Sequence, residues 1–166
     1  MAKMMSPKTT IWWVPESANW NPSAPSAALL TAARNISCAI VSGYTLNATS
    51  SDTDDTKSIC DAANVQTPTF KNYEASLTFF RDADVADIAS DYSKAFQFFK
   101  QKGASGWLVR RLGKLSSAAA AVGDLVSSYK VISDNPADVV GDSGPIQLTV
   151  PFLAQGRMEQ YIALVA

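Results

Sequence analysis

The chain has 166 residues, a formal net charge of −1, 47% apolar and 17% charged residues, two cysteines and no histidine. That length fits one domain with a substantial core, and the missing histidine removes Ser-His-Asp and Cys-His nucleophilic sites and every His-containing zinc site. The balanced charge, with Arg110, Arg111 and Lys114 as the one basic cluster, argues against high-affinity nucleic-acid binding, and no apolar run is long enough to span a bilayer.

Residues 1–8 read as a flexible N-terminus without the apolar core of a signal peptide, which points to synthesis and folding in a cytoplasm. Thr9 to Val14 is β-branched and aromatic, and Pro15 stops it, so it reads as a strand. Asn21 to Pro25 is turn material, and Ser26 to Ala33 allows one or two helical turns. Ile36 to Leu46 reads as a strand in which Ile36, Cys38 and Ile40 alternate and Gly43 marks a bulge. Cys38 and Cys60 read as two small buried apolar side chains, a reading that leaves their pairing open. Asn47 to Thr56 is polar, with Ala48 as its one apolar residue, and reads as a long exposed loop.

Thr67 to Arg81 is expected to be a strand, because Tyr73, Ala75, Leu77 and Phe79 alternate with Glu74, Ser76 and Thr78. Asp84 to Lys102 is the one clear helix. Val85, Ile88, Tyr92, Ala95, Phe96 and Phe99 recur every three or four residues and form a single apolar stripe suited to packing on a sheet. Asp84 and Asp87 have capping-box spacing, Lys100 and Lys102 suit the C-terminal end of the dipole, and Gly103 supplies a left-handed stop. Trp107 to Leu112, Asp124 to Ser133 and Pro145 to Leu153 read as three further strands. Lys114 to Gly123 between the first two is a Ser/Ala-rich, flexible hairpin loop. Turn clusters occupy 134–136 and 141–144, and Pro151 belongs at a sheet edge or a bulge. Residues 157–166 read as a last strand or a tail. The order predicts a mainly β single domain over residues 1–166, an antiparallel sandwich or barrel with one packed helix.

Chemistry is sparse. Asp52, Asp54 and Asp55 cluster in the 47–56 loop, but an EF-hand counted from Asp52 places Lys57 and Ala63 at its sixth and twelfth positions, so the calcium pattern fails. The remaining readings are a solvated loop, weak divalent-cation binding or contact with a neighbouring subunit. Gly106 to Lys114 lacks the spacing of a phosphate loop and has Leu115 where Ser or Thr is required. Arg110 and Arg111 are adjacent on a strand and point to opposite faces, so one is expected to pair with an acid and the other to be solvated or at an interface. The two sequons, at Asn35 and Asn47, matter only under secretion. No catalytic, metal or cofactor-binding set emerges.

Val14-Pro15-Glu16-Ser17, Asp54-Asp55-Thr56-Lys57-Ser58-Ile59-Cys60-Asp61, Asn72 through Asp82 and Val150-Pro151-Phe152-Leu153-Ala154-Gln155-Gly156 together resemble the major tail proteins of siphophages, particularly those infecting actinobacteria. The resemblance spans nearly the whole chain in order, apart from the 114–123 loop and the last ten residues. It implies a tail tube type of β-sandwich or barrel. It also implies hexameric rings that stack into a tube around a tape-measure protein, alongside terminator and baseplate proteins, with viral DNA as a transient cargo and no membrane. Assembly would take place in the host cytoplasm and the product would reside in the virion. Under that reading the 47–56 loop, with Asp52, Asp54 and Asp55, is an inter-ring contact, and its deletion should leave a folded subunit unable to polymerise. The competing readings are a ring-forming terminator or connector, and a small-molecule-binding β-barrel lined by Trp12, Trp13 and Trp107.

Overall fold

Strands form where β-branched and aromatic side chains concentrate, and the first of them shows how the molecule is layered. In the computed structural model, which describes residues 8–60, 63, 66–84, 86–87 and 89–166, strand β1 (Thr9–Pro15) is buried on both faces. Ile11 and Trp13 point into one apolar cluster, and Trp12 and Val14 into another on the opposite side. After a 3-10 turn (Glu16–Ala18) come α1 (Ala27–Ala32), β2 (Arg34–Asn35), a second 3-10 turn (Ser37–Ala39), β3 (Thr45–Ala48), β4 (Thr53–Asp54), β5 (Thr67–Pro68) and β6 (Tyr73–Phe80). Helix α2 (Asp91–Phe99), β7 (Ser105–Leu112), β8 (Leu125–Ser133), β9 (Ala137–Val139) and β10 (Gln147–Ala163) complete the chain.

The main sheet is antiparallel in the order β2-β1-β7-β8-β10-β6-β3, with β9 also paired to β10. It curls into a barrel closed by the segment after β2. Arg34 and Asn35 pair with Trp13 and Trp12, the Ile36 amide bonds the Ile11 carbonyl at 3.0 Å, Ile40 bridges Phe79, and the Val41 amide bonds the Thr78 carbonyl at 2.7 Å. Of the expected strand over Ile36 to Leu46, Thr45 and Leu46 are strand, in β3, and the residues before them form a crossing from one sheet edge to the other. Asn35 Oδ1 accepts from the Ser37 amide and hydroxyl and starts the 3-10 turn. Gly43, at φ +90°, makes a turn rather than a bulge.

The interior is filled by side chains. Phe99 of α2 lies 4.9 Å from Trp13, 5.2 Å from Phe152 and 5.4 Å from Phe79 between ring centroids. On the outer face of β1, β7 and β8, Trp20 of the loop before α1, Leu30 of α1 and Leu164 near the chain's end cover Trp12, Trp107, Val109 and Val126. The Trp20 indole N–H donates to Ser128 Oγ at 3.1 Å, which satisfies its buried polar atom.

Helix α2 starts seven residues later than the expected Asp84. Asp82, Asp84 and Asp87 each accept from the backbone N–H two residues on, a chain of local turns that competes with helix. Ser90 holds the N-cap position and Asp91 the first turn. Of the apolar stripe, Phe99 is fully buried and Phe96 is half-buried beneath the Arg81 guanidinium, 3.9 Å from its centroid. Tyr92 is exposed at the margin with its ring edge on Phe80, and Val85 and Ile88 lie outside the described residues. Gly103, at φ +99°, is left-handed as the sequence requires.

The largest departure is β10, one strand of 17 residues where the sequence suggested two shorter pieces. It pairs with β6 up to Phe152 and with β8 beyond it, with register shifts after Ala154 and Glu159. Pro151 is inside the sheet rather than at its edge. Its carbonyl accepts from Asp134 at 2.9 Å, so its missing N–H falls on the same side, at the gap where β9 ends and β8 begins. The Tyr73 hydroxyl donates to the Lys130 carbonyl and accepts from the Gln155 amide at 2.9 Å, holding the bend after β6 stops pairing.

Candidate assembly interface

The connection between β3 and β6 leaves the barrel as an arm. Every described residue from Asn47 to Lys71 is exposed, including Phe70 at 70% and Ile59 at 104% of full exposure. With no core beneath it, the arm is held by polar bonds. Thr53 and Asp54 pair with Pro68 and Thr67, and the Thr69 amide and hydroxyl donate to the Asp52 carbonyl at 2.8 and 3.0 Å. At its root the Thr49 amide bonds the Asn72 carbonyl at 2.9 Å, while Lys71 reaches Glu159 at 3.0 Å and the Met158 carbonyl at 3.3 Å.

The three acids singled out in the sequence all sit on this arm. Asp52 accepts from the Asn72 side-chain amide at 3.1 Å. Asp54 accepts from the Thr56 hydroxyl and backbone N–H, which hold its carboxyl below the usual range. Asp55 is exposed, and among the described residues none of the three makes an ion pair. Asn47 and Ala48, expected in the loop, belong instead to β3, where they pair with Glu74 and Tyr73.

Helix α2 lies at the other end of the barrel. Strand β6 runs from Tyr73 at the arm's root to Phe80 before the helix, a span of about 26 Å for its eight residues. Lys100, Lys102 and Phe98 are exposed on the far end of α2.

Open strand edges add to these features. Beyond Phe152, β10 pairs with β8 on one side and has no strand on the other among the described residues. That edge is interrupted by the Lys71 ammonium on the Met158 carbonyl and by Tyr161 at φ +57°, devices that discourage indiscriminate pairing.

The whole chain, residues 1–166, matches the family model of the phage tail tube protein. The chain belongs to that family. No curated protein matches it in sequence. Tail tube proteins are structural components of the virion tail rather than enzymes, which accords with an arm, open edges and a filled interior as the chief features. Among the described residues no group of three or more acidic or cysteine side chains is placed to hold a metal, and no helix is long and apolar enough to cross a membrane.

Several expected placements change in this tail tube protein. Cys38 and Cys60 are free and both exposed: Cys38 is on the outward side of the second 3-10 turn, whose Ala39 and preceding Ile36 take the core positions, and Cys60 is on the arm. Trp12, Trp13 and Trp107 line no common cavity. Trp13 is in the barrel interior, and the other two are buried on the outer face. Arg111 pairs with Asp124 at 2.8 Å as expected of one member of its pair, but Arg110 is buried rather than solvated. Its guanidinium crosses the barrel from β7 to the Leu46 carbonyl, Asn47 Oδ1 (2.9 Å) and the Tyr129 hydroxyl (3.1 Å). The 114–123 loop is organised by Arg111, which donates to the carbonyls of Leu115, Ala118 and Ala119 at 3.2, 2.7 and 2.9 Å. Sequence gave no signal for that wrapping, since it depends on which face of β7 Arg111 takes.

Proposed function

We propose that this chain is the repeating subunit of the tube itself. Six copies close into a ring, rings stack around a tape-measure protein between terminator and baseplate, and the emptied lumen later conducts viral DNA. The assembly takes place in the host cytoplasm. The observation that carries this reading is the arm, whose described residues are all exposed from Asn47 to Lys71 and which bears Ile59 and Phe70 at 104% and 70% of full exposure. A segment of that composition becomes worth its conformational entropy only when a neighbour buries it. Ring closure removes strand edges that a lone subunit leaves open, and a net charge of −1 suits a conduit that must not retain DNA. The interior packed around Phe99 leaves no room for the small-molecule barrel reading.

Negative-stain microscopy of the concentrated full-length protein tests this directly. Long tubes of uniform diameter are expected. Discrete rings that never stack would assign the chain to a terminator or connector, and a monodisperse monomer at high concentration would remove the assembly reading altogether.

A further inference from the structure

We propose that the arm of one subunit docks on the C-terminal half of α2 in the next subunit along the tube axis; this rests on the tube reading and names the surface that receives the arm. The two features adjoin opposite ends of β6, the arm before Tyr73 and α2 after Phe80, so they face opposite ways along that strand. A contact between unlike ends of identical copies does not close on itself and repeats indefinitely, which is the symmetry of a stack.

The chemistry of the two surfaces is complementary. From Thr49 to Phe70 the sequence has four aspartates against Lys57 alone, a net charge of −3. From Tyr92 to Gly103 it has Lys94, Lys100 and Lys102 and no acid, a net charge of +3. Among the described residues none of those three lysines forms an ion pair, and neither do Asp52, Asp54 and Asp55. Asp91, at the start of the helix, is already taken by Arg34, and the aspartates of 82–87 bond their own backbone. Apolar groups accompany the charges on both sides. Ile59 and Phe70 protrude from the arm, and Phe98 is 39% exposed beside the lysines. Desolvating the ion pairs against these side chains makes them stronger than the same pairs in open water.

Charge exchange tests the pairing. The arm variant carries D52K, D54K and D55K, the helix variant carries K94E, K100E and K102E, and a third chain carries all six. All substituted positions are exposed or half-buried, and circular dichroism checks the fold. Each three-site variant should raise the concentration needed for tube formation about tenfold or more at low salt, since attraction becomes repulsion at three positions. The six-site chain should assemble near the wild-type concentration. Wild-type tubes together with a helix variant that assembles normally, or a six-site chain no better than its parents, would overturn the docking while leaving the tube reading intact. Absence of tubes from the wild type would instead remove both. Should a charge variant misfold, a K102C, C38S chain retaining Cys60 gives a second measurement. A short bismaleimide should convert its tubes into a ladder of covalent multimers, and tubes that yield no ladder would refute the placement.

Discussion

Removing the carboxylate of Asp124 probes how the β7–β8 hairpin is held. Asp124 Oδ2 accepts from Arg111 at 2.8 Å and from the Ala121 amide at 3.2 Å, and Oδ1 accepts from Lys114 at 2.5 Å. The Arg111 side chain is 1% exposed, so Asp124→Ala leaves a buried guanidinium without a counter-charge. Breaking a buried pair from one side costs about 3–5 kcal/mol. Four neutral acceptors remain around Arg111 (Thr10 Oγ1 and the carbonyls of Leu115, Ala118 and Ala119), which favours the lower end, about 3 kcal/mol. In a chain of this length that lowers Tm by about 6–12 °C. Lys114→Ala, which removes a half-exposed ammonium, should cost about 1 kcal/mol or less. Both are measured by chemical denaturation followed through tryptophan fluorescence, with thermal melts alongside. Burial pushes the Asp124 carboxyl up, but the hydrogen bonds from Lys114 and Arg111 outweigh it and hold the group below its ordinary range. A depressed folded value means its stabilisation is present above the unfolded pKa, about 3.9, and is lost as pH falls through the folded one. The gap between wild type and Asp124→Ala should therefore stay constant from neutral pH to about 4 and narrow below it. Equal effects of Asp124→Ala and Lys114→Ala, or a gap that closes well above pH 4, would refute the assignment of Arg111 as the centre of the loop.

Two further outcomes follow from the packing. Ile59→Ser with Phe70→Ser should leave the subunit's melting within about 0.5 kcal/mol of wild type, because both side chains are exposed, yet reduce the fraction that pellets as tubes. A fall in subunit stability would show that the arm packs on its own chain. Gly106→Ala should destabilise by about 1–3 kcal/mol, since a Cβ there would lie 2.5 Å from the Val14 carbonyl oxygen and 2.8 Å from the Trp13 ring; unchanged denaturation would mean that β1 and β7 separate more easily than their register implies.

Local pattern made some of this architecture legible and concealed the rest for identifiable reasons. Strands β1 and β6 announce themselves because β1 is a β-branched and aromatic run buried on both faces and every second residue of β6 meets the core. The arm was visible as polarity alone, since a segment with no apolar face has nothing to fold against. The sequence pattern overextends helix α2 because Asp84 and Asp87 suit both a capping box and an Asx turn, and the spacing of residues does not choose between them. The closing segment after β2 looked like a strand because alternation over five residues is also met by a 3-10 turn with extended flanks. Strand β10 reads as broken at Ala154 to Gly156, exposed residues where Gly156 takes φ +70° within a register shift, and the chain is carried through by β8 and the Tyr73 hydroxyl, partners far away in sequence. The average habit of cysteine places Cys38 and Cys60 in the core, but Cys38 faces outward from a turn whose Ile36 and Ala39 fill the core, and Cys60 is on the exposed arm.

The placement of the two arginines connects the barrel's construction to its proposed use. Arg111 and its loop cover the outer face, while Arg110 turns inward and ties β7 to β3 through the Leu46 carbonyl and Asn47. Asn47 is the first residue of the exposed run that becomes the arm, so the arm is rooted in a buried guanidinium on one side and in the Lys71 bond to Glu159 on the other. Two polar anchors fix its direction of departure without supplying it with a core. Under the proposed docking, an arm held at its root has a defined exit, and its exposed Ile59 and Phe70 are what the neighbour would bury. An unanchored arm would instead add the entropy of orientation to every docking step.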